Sequence, residues 1–137
     1  MSRVQLALNV SDLEAAIEFY AKLFATPPAK VREGYANFAI ADPPLKLVLM
    51  QGARGGTLNH LGVEVSSTAE VNATTEYLVD HGFATKTEEG VDCCHPVQDK
   101  VWVSDPDGAP WEVYTVLGDS PEPAEHERAL PLAKSCC

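Results

Sequence analysis

With 137 residues, 45% of them hydrophobic, the chain is long enough to bury one real core and too apolar to be disordered. Its 20 acidic residues against 10 basic ones leave a formal charge of −10, which offers nothing to a nucleic-acid backbone. No apolar run approaches the roughly 20 residues of a membrane-spanning helix, and MSRVQLALNV lacks the layout of a secretory leader, so the expectation is a cytoplasmic protein with no membrane or nucleic-acid partner and with reduced cysteines.

Residues 5–11 (QLALNVS) alternate and read as a strand. Ser11-Asp12-Leu13-Glu14 then has the spacing of a capping box. Leu13, Ala16, Ile17, Tyr20 and Phe24 share one face of the helix it opens, which ends before Pro27-Pro28. Three short strands are expected near residues 30–32, 36–40 and 46–50, with Asp42-Pro43 at a turn.

A Gly/Arg-rich linker, 51–56, leads to residues 60–66 (HLGVEVS), which match 5–11 without a gap at an offset of 55. Ser67-Thr68-Ala69-Glu70 repeats the capping box, and Val71, Thr74, Leu78 and Val79 form a weaker helix face. Gly82 is the natural left-handed C-cap of that helix. Strands near 84–88, 100–104 and 111–116 follow, with Asp105-Pro106-Asp107-Gly108 in the matching turn. The organisation is βαβββ twice: an α+β domain over residues 1–118, in modules of about 1–52 and 56–118. A polar, proline-interrupted tail, 119–137, reads as a mobile appendage.

Gln5 and His60 hold the same position in the two repeats, each at the head of an otherwise apolar strand. Glu112 stands among bulky β formers in Trp111-Glu112-Val113-Tyr114, where a buried carboxylate needs a counter-charge or a metal. One imidazole, one carboxylate and one amide oxygen suit a divalent metal and leave positions open for ligands. Taken singly, each has a plainer reading: a satisfied core histidine, a solvated edge glutamate, a surface glutamine.

The four cysteines form two adjacent pairs, Cys93-Cys94 and Cys136-Cys137. Neighbouring Cα atoms lie about 3.8 Å apart, short of the roughly 4.4–6.8 Å that disulfides prefer, so each pair reads as a dithiol. Cys93 and Cys94 fall in a stretch, 89–97, read as a loop able to reach over the sheet, and Lys100 or His95 would favour the thiolate if close. An isolated buried cysteine would be only a small hydrophobe.

Residues 4–10 (VQLALNV), 35–49 (YANFAIADPPLKLVL), 58–65 (LNHLGVEV), Cys93-Cys94, 98–103 (QDKVWV) and 111–116 (WEVYTV) resemble the carbon–arsenic lyases that degrade trivalent organoarsenicals. They equally resemble the cadmium-induced proteins of actinobacteria, and the resemblance runs from residue 1 to about 118. Both groups lie within the vicinal-oxygen-chelate superfamily of glyoxalases, bleomycin-resistance proteins and dioxygenases. The resemblance implies two tandem βαβββ modules forming one curved mixed sheet, a cup around a metal site. It implies an Fe(II) centre on Gln5, His60 and Glu112, similar to that of extradiol dioxygenases. Its substrates would be dioxygen and a small trivalent methyl- or aryl-arsenical, held by Cys93 and Cys94 while the carbon–arsenic bond is cleaved and arsenite leaves.

Most wider relatives of this kind use two histidines and one carboxylate. Gln5 in the first histidine's place argues against ring cleavage of catechols, and a neutral amide should bind the metal less tightly than imidazole does. Rival readings are a non-catalytic binder of cadmium or arsenite through the dithiols, a glyoxalase-like isomerase or thiol transferase, and a drug binder needing neither metal nor cysteines. A four-ligand isomerase would want a carboxylate where Lys46 stands, if Pro44 is matched to Pro110. Either a monomer or a homodimer fits the sequence.

Overall fold

The computed structural model describes residues 2–92 and 96–119; Cys93, Cys94, His95 and the chain from residue 120, with Cys136 and Cys137, lie outside the described residues. The first module is β1 (Arg3–Val10), α1 (Leu13–Leu23), β2 (Lys30–Arg32), β3 (Tyr35–Ile40) and β4 (Leu45–Gln51). The second is β5 (Thr57–Glu64), α2 (Thr68–Asp80), β6 (Lys86–Asp92), β7 (Pro96–Ser104) and β8 (Pro110–Asp119). The βαβββ repeat read from the sequence is therefore present twice.

The eight strands make one mixed sheet in the order β2-β3-β4-β1-β5-β8-β7-β6. That order is symmetric about the antiparallel β1–β5 seam, and each module pairs its first and last strands in parallel, β1 with β4 and β5 with β8. Period-two alternation divides the faces. Leu6, Leu8 and Val10 of β1, Ala36, Phe38 and Ile40 of β3, and Leu45, Leu47 and Leu49 of β4 pack under α1 with its Leu13, Ala16, Ile17, Tyr20 and Phe24. The intervening residues, Gln5 and Ala7 among them, face the other way. In the second module, α2 packs over β7 and β8 with Val71 buried.

Three local expectations shift. The N-cap of α1 is Asp12, whose carboxylate accepts from the Ala15 amide at 3.2 Å; Ser11 stands one residue outside. At α2, Ser67 caps as expected, accepting from the Glu70 amide at 3.2 Å, while the Glu70 carboxylate reaches the amide of Ser66 instead of Ser67. Of the stretch 89–97, residues 89–92 and 96–97 are strand: β6 pairs with β7, Val91 lying opposite Gln98 and Asp92 opposite Val97. Pairing along a neighbour satisfies the main chain of this polar segment, which outweighs its weak β propensity. The extra residue is taken up in a bulge between Glu88 and Val91, where Gly90 adopts φ +60°. Gly82 follows the C-cap His81 at φ +84°, as its position in the sequence anticipates. Among the described residues, no helix is long and apolar enough to cross a membrane.

Candidate metal centre

Gln5, Gly62 and Glu112 form a row across three adjacent strands: Gln5 lies opposite Gly62, and Gly62 beside Glu112. The middle member has no side chain, and even a methyl group there would press on its neighbours. A Cβ on Gly62 would stand 3.0 Å from Cγ and from the main-chain oxygen of Glu112, and 3.1 Å from Nε2 of Gln5. His60, two residues before Gly62, projects on the same side. The three side chains converge over this gap. Gln5 Nε2 lies 3.1 Å from His60 Nε2 and 3.1 Å from Glu112 Oε1, and His60 Nε2 is 3.7 Å from that oxygen. All three residues are at most 3% exposed.

One amide NH2 group thus donates toward two acceptors, an imidazole nitrogen and a carboxylate oxygen. Two electron pairs converging on one donor at the bottom of a water-poor cup is also what a small cation requires. A half-turn of the Gln5 amide presents Oε1 in place of Nε2, completing one nitrogen and two oxygens around the same point. The residues present therefore fit a divalent metal. Among the described residues no group of three His, Cys, Asp or Glu side chains gathers, so a metal held here would need the Gln5 amide as well.

The second oxygen of Glu112 is already taken. Lys100 Nζ, on β7, donates to Oε2 at 3.0 Å, which leaves Oε1 as the oxygen facing Gln5 and His60. Burial pushes the Glu112 carboxyl up, but its neighbours His60 and Lys100 prevail and hold it below its ordinary value. Glu112 is accordingly an anion at neutral pH. Lys100, considered from the sequence as a partner for the cysteines, is seated on Glu112. On the outer side of His60, Nδ1 is 2.7 Å from Oδ1 of Asn59, and the Trp102 ring meets the imidazole edge-on at 5.4 Å.

The floor of the cup continues into a cationic cluster. Lys46, beside Gln5 in the register, donates to Glu64 at 3.3 Å, and Arg3 donates to the other Glu64 oxygen at 2.8 Å. Burial lowers the Lys46 pKa against the pull of Glu64. A cation at this position leaves no fourth carboxylate for an isomerase-type centre. Burial pushes the Tyr114 phenol up, with Glu64 and Glu112 adding to the shift, so it stays a neutral donor. Its hydroxyl and the Oε1 of Gln98 are buried with no hydrogen-bond partner among the described residues. Gln98, Lys100 and Trp102 alternate onto one face of β7, and Tyr114 lies opposite Lys100, so both atoms are on the side of the sheet that carries Glu112.

The sequence reading named Gln5, His60 and Glu112, and these three side chains meet. It did not name Gly62, although a glycine inside an apolar strand is itself a sign of close approach. Asn59 was missed as well, because nothing in the sequence announces the bulge that turns it. The cysteine pair lies outside the described residues, in sequence between β6, which ends at Asp92, and β7, which starts at Pro96.

Residues 3–113 match the sequence profile of the Glyoxalase/Bleomycin resistance protein/Dioxygenase superfamily. The chain belongs to this superfamily. Its similarity within the superfamily is specific. It is 62% identical over 122 residues to a trivalent organoarsenical cleaving enzyme of Thermomonospora curvata, covering 88% of this chain and 81% of that protein. It is 57% identical over 142 residues to the cadmium-induced protein CadI of Mycobacterium tuberculosis, covering 100% of this chain and 93% of the relative. Among solved structures, the Mn(II)-bound glyoxalase of Novosphingobium aromaticivorans shares the fold at a TM-score of 0.63 and 20% identity, over 93% of this chain and 44% of its own. That similarity to a known glyoxalase-superfamily architecture agrees with the two-module sheet.

Proposed function

We propose that this protein cleaves the carbon–arsenic bond of trivalent organoarsenicals, methyl or aromatic, and releases arsenite. The observation that carries the reading is the buried convergence of Gln5, His60 and Glu112 in a chain 62% identical to a protein named for that reaction. His60 Nε2, Glu112 Oε1 and the turned Gln5 amide would hold Fe(II). The metal, when bound, supplies a centre able to activate dioxygen.

The remaining work falls to the chain itself. Cys93 and Cys94 hold the arsenic as thiolates, the form in which cysteine binds soft ions. In sequence they fall between β6 and β7, the strand that carries Gln98, Lys100 and Trp102. Lys100 keeps Glu112 ionised and turned, and the apolar side chains of Ala7 and Val48 beside Gln5 limit water.

A second reading has its own support in the name of the mycobacterial relative: a protein that sequesters cadmium or arsenite on its dithiols without turnover. Arsenic speciation decides between them. Fe(II)-loaded protein, incubated with a trivalent organoarsenical in air, should release arsenite over many turnovers, and His60→Ala should release none. Stoichiometric binding without arsenite release, unchanged by His60→Ala, would establish the sequestering role and end the catalytic one.

A further inference from the structure

We infer that Asn59 is a positioning residue that holds His60 as its Nδ1–H tautomer, through a hydrogen-bond relay whose direction is set by the main-chain carbonyl of Arg54. The inference rests on the reading of His60 as a metal ligand through Nε2.

The relay can be followed one donor at a time. The Arg54 carbonyl can only accept, so the Thr57 hydroxyl spends its one proton there. Thr57 Oγ1 is then the acceptor for Asn9 Nδ2, at 2.9 Å. This orientation turns Asn9 Oδ1 toward Asn59 Nδ2, 3.0 Å away. Asn59 Oδ1 is left facing His60 Nδ1 at 2.7 Å, and an amide oxygen there requires the proton to be on the ring nitrogen. Each link forces the next. The far nitrogen, Nε2, is left with a bare lone pair aimed at Gln5 and Glu112.

The placement of Asn59 comes from a defect in the sheet. Neighbouring residues on a strand should project to opposite faces. Here Ala7 lies opposite His60 and Leu8 opposite Leu58, so Asn59 has no partner on β1 and forms a bulge. The bulge brings its amide beside the imidazole of the next residue. In the first repeat the equivalent position is Val4, which has no polar side-chain atom and precedes a glutamine with no tautomer to choose. The polar partner thus occurs only in the module that bears an imidazole. An unrestrained imidazole in water prefers the proton on Nε2, the wrong nitrogen for a ligand in this cup. Partners on the outer nitrogen of metal-bound histidines fix the ring in this way, and losing one commonly weakens metal binding about 10–100-fold.

Long-range proton–nitrogen correlation spectra of the full-length, metal-free protein, labelled with 15N-histidine and recorded at alkaline pH, test the tautomer directly. His60 should show a protonated Nδ1 and a bare Nε2 in the parent and in Asn59→Asp, whose carboxylate can only accept. Asn59→Leu should lose that pattern, and Thr57→Val, which removes the fixed end of the relay, should lose it in part. Competition titration with Co(II) should find Asn59→Leu about 10–100-fold weaker than the parent and Asn59→Asp within about threefold. A parent protein with its proton on Nε2 would overturn the inference, whether or not Asn59→Leu folds. So would an Asn59→Leu protein with the parent's tautomer and affinity. The spectra involve neither metal nor arsenical, so a protein that fails to release arsenite yet shows the Nδ1–H ring would count against the proposed reaction alone.

Discussion

Lys100 and Glu112 face each other from β7 and β8 with Nζ 3.0 Å from Oε2, their side chains 0% and 2% exposed. Two charges so far from water stabilise each other, because removing one leaves the other buried without this counter-charge. Lys100→Met should therefore cost about 3–5 kcal/mol in urea denaturation of the metal-free protein. The double variant Lys100→Met, Glu112→Gln should recover most of that loss. Equal stability of the single variant and the parent would mean that Glu112 finds other compensation.

Gly62 supplies the empty space between Gln5 and Glu112. Gly62→Ala introduces a methyl group at 3.0 Å from Glu112 atoms, one of them main-chain and unable to rotate away. The expected outcome is a folded protein whose Co(II) affinity falls at least about tenfold, the order expected when a ligand shell is displaced. Circular dichroism checks the fold and competition titration the metal. Undiminished affinity would place the ion elsewhere in the cup.

Gln5 and His60 are the same residue of two repeats, and only one of them is an imidazole. Gln5→His should strengthen Co(II) binding by about tenfold, because imidazole is a better donor than a neutral amide. The same titration series measures it. Weaker binding in this variant would show that the cup is shaped for the longer amide.

Cys93 and Cys94 are proposed to present the substrate, and the pair at 136–137 to be dispensable. β8 extends to Asp119, so a clean truncation falls after residue 119 and not within the strand. The truncated protein should keep arsenite release, while Cys93→Ser or Cys94→Ser should abolish it, since catalysis depends on a fixed approach to the metal. Loss of activity on truncation together with activity in Cys93→Ser would reverse the assignment of the two pairs.

Glu64 predicts an acid limb. Burial pushes its carboxyl up, but the Arg3 hydrogen bond and the charges of Lys46 and Arg3 bring it below the ordinary glutamate value. As pH falls the unfolded chain takes up this proton first, so the stabilisation present above the ordinary glutamate range is lost in the window below it. Glu64→Gln should be less stable than the parent by about 1 kcal/mol at neutral pH, the pair being partly solvated, with the difference vanishing in acid. Urea midpoints measured from about pH 7 down to about pH 3 would reveal it. A difference constant with pH would exclude the ion pair as its cause.

The sequence by itself determined the repeat, the helix faces and the residue types at the centre, because each is written locally. Alternation with period two made Gln5 and His60 conspicuous, helical spacing collected Leu13, Ala16, Ile17, Tyr20 and Phe24, and Gly82 marked a helix end. Only the tertiary structure decided which distant atoms meet. Gln5 and Glu112 are 107 residues apart, and they touch because β1, β5 and β8 lie side by side in one register. That register also makes Gly62 necessary, seats Lys100 on Glu112, draws residues 89–92 into a strand and leaves Asn59 in a bulge. Strand register comes from the packing of whole faces and the pairing of main chains, and a shift of one residue would turn every one of these side chains to the other side of the sheet.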